Sequence, residues 1–293
     1  MAKETKDPER LQWHPAFYAG IQIELEDERE QLIFENEHQL STKPLEIDVL
    51  IIKKQGNVQI RKNIGQIFKG HNIIEYKGPD DGLSIDDYYK VIGYACFYKS
   101  DVENVDTISI EDITITFVVK KFPRNVIRQL EQTRNLTVVK FDEGIYHISR
   151  EIFPVQIIHT AKLSKENNFW LKNLTNDLKT REEAQNLLEK YEKRQKENLY
   201  QSVMEIIVKA NIDLFEEVDD MCDALMEIVR PKVEAKIKEA TEKALEEGRI
   251  RERIDLISKK LAKGMSVEDI ADLLEEPVET IEKLMKSMEP TLK

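Results

Sequence analysis

The spacing of apolar positions changes period several times in the first half of the chain. From Trp13 to about Glu30 it is helical, with Trp13, Phe17, Gly20, Ile21 and Leu25 in one stripe. Pro15 sits near the first turn, where a missing N–H costs nothing. Glu24 falls inside that apolar stripe and Glu26 opposite it. "LIFENEHQL" and "LEIDVLIIKK" then read as strands, separated by the turn "STKP". "NIGQIFKG" predicts a short helix closed by Gly70, and "HNIIEYK" a third strand. Ser84 and Asp87 form an S-x-x-D capping pattern for the helix "SIDDYYKVIGYACFYKS". Beyond it come the β-branched strand "ITITFVVKK", a helix from Pro123, a hairpin around Asp142, Glu143 and Gly144, and a last strand, "FPVQIIHT".

From about Ser164 the strand signals stop and charged helical periodicity runs to the end. Gly264 closes a long helix, Ser266 and Asp269 cap the next, and Pro277 opens the last. The pattern predicts an α/β domain over residues 10–163 and an all-helical region over 164–293 ending in a helix-turn-helix-like pair. Glu279 and Glu282 beside Lys283 and Lys286 give that pair poor footing on DNA, so a small packing unit is expected. The long helix with its Glu and Lys runs is expected to be solvated or to pair with a second copy, making a homodimer.

Composition narrows the class. Hydrophobic residues make up 41% and charged residues 34%, which suits a soluble protein with a core and a heavily charged surface. The longest apolar run, around Val49 to Ile52, is far short of the ~20 residues that span a bilayer, so no membrane partner is expected. The charged start "MAKETKDPERLQWHP" has no secretory core, and Cys96 and Cys222 lack metal-ligand spacing. Both features point to reduced thiols in a cytoplasmic protein. A net charge of −12 argues against coating nucleic acid by bulk electrostatics. Between Lys43 and Lys77, however, seven basic residues face three acidic ones.

That basic window holds the candidate chemistry. In a strand, side chains alternate, so Glu75 and Lys77 share a face with Ile73. An E-x-K triplet occurs three times, at Glu4, Glu75 and Glu234, and only Glu75 lies in an apolar strand. The strand before it carries one inward acid, Asp48. Carboxylates that converge repel one another unless a hard divalent cation sits between them, and Mg²⁺ takes oxygen ligands while keeping several waters. A metal-bound water attacks a phosphodiester, and a lysine on the same face orients it or stabilises the transition state. The chain has no Gly-rich phosphate loop and no HExxH motif, and its five histidines are scattered.

The order is a helix with Glu24, a strand, a strand with Asp48, a strand with Glu75-x-Lys77, then a helix. It resembles the core of the PD-(D/E)XK nuclease superfamily. The run "LEIDVLIIKK…NIGQIFKGHNIIEYKGPDDGLSIDDYYKVIGYACFYKS" resembles its recombination-promoting nuclease branch, described as transposase-like. The resemblance implies a restriction-endonuclease-like mixed sheet flanked by helices. It implies a Mg²⁺-dependent DNA endonuclease, with Mn²⁺ able to substitute. Asp48 and Glu75 would bind the metal, with the Tyr76 carbonyl as a further ligand and Glu24 as an outer carboxylate. Lys77 would be the catalytic lysine. Ile47 stands where the superfamily name has proline. Some branches carry a Q-x-x-x-Y helix; here it reads Lys90 to Tyr94, so Lys90 would contact a phosphate and Tyr94 face the site. A surface lysine and a core tyrosine are the alternative. In "GPDDG", Asp80 and Asp81 read as a turn rather than as ligands. A catalytically silent nuclease-fold binding module, and an RNA-directed nuclease, are the rival readings.

Overall fold

The computed structural model describes residues 11–35, 49–56, 58–101, 104, 106–216, 218 and 223–286. The strands are β1 (Leu32–Glu35), β2 (Val49–Lys54), β3 (His71–Tyr76), β4 (Ile113–Val119), β5 (Thr137–Asp142), β6 (Ile145–Ser149) and β7 (Val155–His159). They form one seven-stranded sheet in the order β1-β2-β3-β4-β7-β6-β5. The central strands β3, β4 and β7 run parallel, and both flanks are antiparallel. This mixed sheet with its helices is the expected α/β class. A parallel step needs a crossover, and helix α2 (Ile85–Ser100) supplies it between β3 and β4.

Alternation sorts the sheet into two faces. Ile73, Ile115, Phe117 and Ile157 pack with Tyr88, Val91 and Ala95 of α2 and with Val126 and Leu130 of α3 (Arg124–Arg134). The opposite face of β3 carries Tyr76, whose ring stacks on Phe17 of α1 (Trp13–Glu24) at 4.3 Å. That second face is unusually polar. Asn72 and Gln156 are fully buried there, with Thr114 and Thr116 beside them. Asn72 donates to the Ile52 carbonyl and accepts from Lys69 N–H and Thr114. Gln156 donates to the Ile64 carbonyl and to Thr116. These bonds pin the connection from β2 to β3 onto the sheet and offset the cost of burying amides. They also reshape the stretch expected to be a helix. With the Ile64 carbonyl taken by Gln156, only one 3₁₀ turn forms, at Asn63–Gly65.

Helices follow β7, as expected: α4 (Phe169–Asn173), α5 (Arg181–Glu192), α6 (Asn198–Ala210), α7 (Ile212–Phe215), α8 (Asp223–Leu261), α9 (Val267–Leu274) and α10 (Val278–Lys286). The compact units nevertheless divide well beyond residue 163, at Val229 and Arg230. The reason is α1, which packs on α4 and α6 and draws the early helices into the first unit. In the second unit, Ser266 and Asp269 form the expected capping box, and Ile257, Ile270, Ala271 and Ile281 make a small core. Glu279, Glu282 and Lys283 are exposed. No described helix is long and apolar enough to cross a membrane. Cys96 is an exposed free thiol, and Cys222 lies outside the described residues.

Burial lowers the pKa of His71, His147 and His159 from the ordinary 6.5. A depressed folded-state pKa contributes stability that is present above the unfolded value and is lost as pH falls. The melting temperature is therefore expected to drop between about pH 7 and pH 5. His147→Gln removes one of the three rings and should shallow that drop. Melting curves for the variant and wild type with the same pH slope would contradict this.

Candidate functional site

Glu75 and Lys77 lie on the α2 side of β3, as alternation predicts. The Lys77 ammonium is 2.9 Å from Glu75 Oε1 and also 2.9 Å from Asp87 Oδ1 in the first turn of α2. Asp87 is held by the capping box: its carboxylate accepts from the N–H and hydroxyl of Ser84, and its own N–H donates to Ser84 Oγ. One residue thus caps a helix and positions a lysine. The Glu75 side chain is 13% exposed and that of Lys77 18%. Groups so far out of water need partners, and each has one.

The electrostatics follow the geometry. Burial raises the Glu75 carboxyl, with Lys77 opposing. Burial pulls Lys77 down, but the Asp87 hydrogen bond and the Glu75 charge outweigh it, and its pKa is raised. Burial likewise pushes Asp87 up, yet the bonds from Ser84 and Lys77 hold it below the usual carboxylate range.

Lys90 and Tyr94 follow Asp87 at positions i+3 and i+7 and complete this face of α2. The Lys90 ammonium lies 5.7 Å above the Tyr94 ring. The Lys90 charge opposes the rise of Glu75, and burial and the Glu75 charge raise Tyr94. Tyr94 is buried, whereas Lys90 is exposed. Val49 is the register partner of Glu75 across the β2–β3 pair. Asp48 lies outside the described residues.

One sequence expectation is placed differently. Tyr76 turns its ring away from Glu75 onto Phe17, while the expectation for Tyr76 concerned its main-chain carbonyl. Glu24 is buried, as its place in the apolar stripe implies, but its oxygens are engaged elsewhere. Oε1 accepts from the N–H groups of Trp170 and Leu171 at 2.8 and 3.0 Å, and Oε2 pairs with Lys62 at 2.7 Å. It fastens the start of α4 to α1. "GPDDG" forms the expected turn, closed by Asp81 N–H on the Gly78 carbonyl. Asp80 accepts from Asn176.

A divalent ion fits part of this donor set. Mg²⁺ takes hard oxygens from one or two carboxylates and fills the remainder with water, and Glu75 is such a carboxylate, whereas both oxygens of Asp87 are committed to Lys77 and Ser84. Among the described residues no group of three or more His, Cys, Asp or Glu side chains is placed to hold a metal. Comparison with protein-family models, curated proteins and solved structures returns no match. The likeness to PD-(D/E)XK nucleases therefore rests on the residues alone.

Glu24→Ala leaves two buried N–H groups without an acceptor and Lys62 without its partner. Urea unfolding is expected to show a loss of about 1–3 kcal/mol. An unchanged midpoint would contradict the anchoring role.

Proposed function

We propose that the carboxyl end of β3 is the active site of a metal-dependent endonuclease that hydrolyses DNA phosphodiester bonds. The observation that carries this reading is Lys77, on the same face as the half-buried Glu75 and bound to it at 2.9 Å. In open α/β sheets, substrates approach at the carboxyl ends of the strands, which is where this pair sits. A bound Mg²⁺ or Mn²⁺ would supply an activated water and neutralise charge developing on the phosphoryl group.

The residues do the rest. Glu75, together with Asp48, provides the carboxylates that hold the cation. Lys77 is the cation within reach of the reacting phosphoryl group. Its ammonium has three N–H donors: with Asp87 keeping one, the others would be available to a phosphoryl oxygen or to the attacking water if Glu75 held a metal. The water oxygen would bond to phosphorus and give up a proton to solvent, while the bond from phosphorus to the sugar oxygen breaks and that oxygen leaves as a hydroxyl, taking a proton from water. Asp87 is a positioning residue: fixed by Ser84, it keeps Lys77 from rotating out of the site. Lys90, exposed one turn further along α2, contacts a flanking phosphate. Cutting both strands requires two such sites, which is the role given to pairing through the helical tail.

A net charge of −12 favours a second reading, in which the same site binds without cutting. Supercoiled plasmid with Mg²⁺ or Mn²⁺ separates the two. Wild type is expected to relax it, with Lys77→Ala and Asp48→Ala reduced by about 10²-fold or more. Asp87→Asn should retain intermediate activity. Equal nicking by wild type and Lys77→Ala would sink the reading, and no nicking by any protein would favour the silent module.

A further inference from the structure

The parallel order of β3, β4 and β7 brings a second cluster to the same edge of the sheet. Behind the ends of β4 and β7, and closed by the β5–β6 turn, lies a pocket of about 520 Å³. Arg124, Lys140, Lys162 and Lys172 line it against a single acid, Glu143. In a chain of net charge −12, four cations facing one carboxylate is a local inversion of sign. None of the four forms an ion pair within the described residues. Lys172 is fixed at the rim, donating to the carbonyls of Ala161 and Leu163 at 3.2 and 2.6 Å. Its third N–H remains for a ligand.

The cations act on one another. His159, also in the lining, is lowered first by burial and then by the charges of Lys162, Lys172 and Arg124. Lys172 is lowered by burial and by Lys165 and Lys162, with Glu143 opposing. Helix α3 begins beside the pocket with no side-chain cap and no acid in its first turn. The walls are aromatic: Phe122 lies 4.7 Å from Tyr146 and 5.4 Å from His159, centre to centre, and each ring is only partly buried. One wall of the pocket is tightly packed. Gly144, at φ +74°, packs so closely that a Cβ there would lie 2.7 Å from Leu163 N, and its carbonyl accepts from His159 N–H.

We infer that this pocket binds a nucleoside phosphate, the phosphate among Arg124, Lys162 and Lys172 and the base against Phe122 and Tyr146. Its volume suits a ligand of that size. The ligand is either a free nucleotide or the terminal nucleotide of a strand. Binding here does not require that Glu75 and Lys77 cut, and it is measurable when they cannot.

The test uses the full chain carrying Lys77→Ala, in EDTA, titrated calorimetrically with deoxyadenosine 5′-monophosphate, with deoxyadenosine, and with a short single strand bearing or lacking a 5′-phosphate. The monophosphate is expected to bind about tenfold or more tightly than the nucleoside, and adding Arg124→Ser and Lys162→Ser together should remove that difference. Glu143→Gln should tighten binding, a gain that misfolding cannot imitate. Lys209→Ser, on α6, should change nothing. A phosphorylated strand binding more tightly than the monophosphate assigns the pocket to strand ends; equal binding assigns it to the free nucleotide. Nucleoside and monophosphate binding alike, no binding of any probe, or an Arg124/Lys162 variant that binds as before would overturn the proposal.

Discussion

Lys77 is the tie between the central sheet and its crossover helix. One ammonium, two carboxylates and a serine cap join the end of β3 to the first turn of α2. The arrangement is locally costly, because Glu75 and Lys77 have given up most of their water. It persists because every charge is answered. Around it, alternation divides the labour: Ile73, Ile115 and Phe117 make the apolar core on the α2 side, while Tyr76, Asn72 and Gln156 face the other way.

This division explains why Glu24, a buried acid, and Glu75, a half-buried one, do such different things. Glu75 meets a lysine two residues along its own strand, on the face that α2 covers. Glu24 sits at the end of a helix packed against the opposite face, where its oxygens take two N–H groups of α4 and the ammonium of Lys62. Its neighbour Glu28, also buried, accepts from the N–H groups of Arg61 and Lys62. Carboxylates on this side serve as anchors for loops and helix starts.

Much of this was legible in the sequence, and the limits are physical. The shared face of Glu75 and Lys77 follows from a period of two, and the Ser84–Asp87 cap from spacing along one helix. That Asp87 also holds Lys77 depends on how closely α2 approaches β3, which no local pattern encodes. The burial of Glu24 could be read from its stripe. Its partners, 146 and 147 residues away, could not. The helix expected over "NIGQIFKG" shrank to one turn because a glutamine from β7 claims the carbonyl it needed. The basic pocket was invisible for a related reason: Arg124, Lys140, Lys162 and Lys172 belong to four separate elements that the pairings from β4 across β7 and β6 to β5 bring together.

A nuclease at this site requires a divalent cation held by Glu75. Titrating the protein with Mn²⁺ and following the free ion by electron paramagnetic resonance tests this directly, without requiring turnover. The account predicts a bound ion in the wild type, its loss in Glu75→Gln, and its retention in Glu24→Gln. Retention in Glu75→Gln, or no bound ion in the wild type, would contradict it.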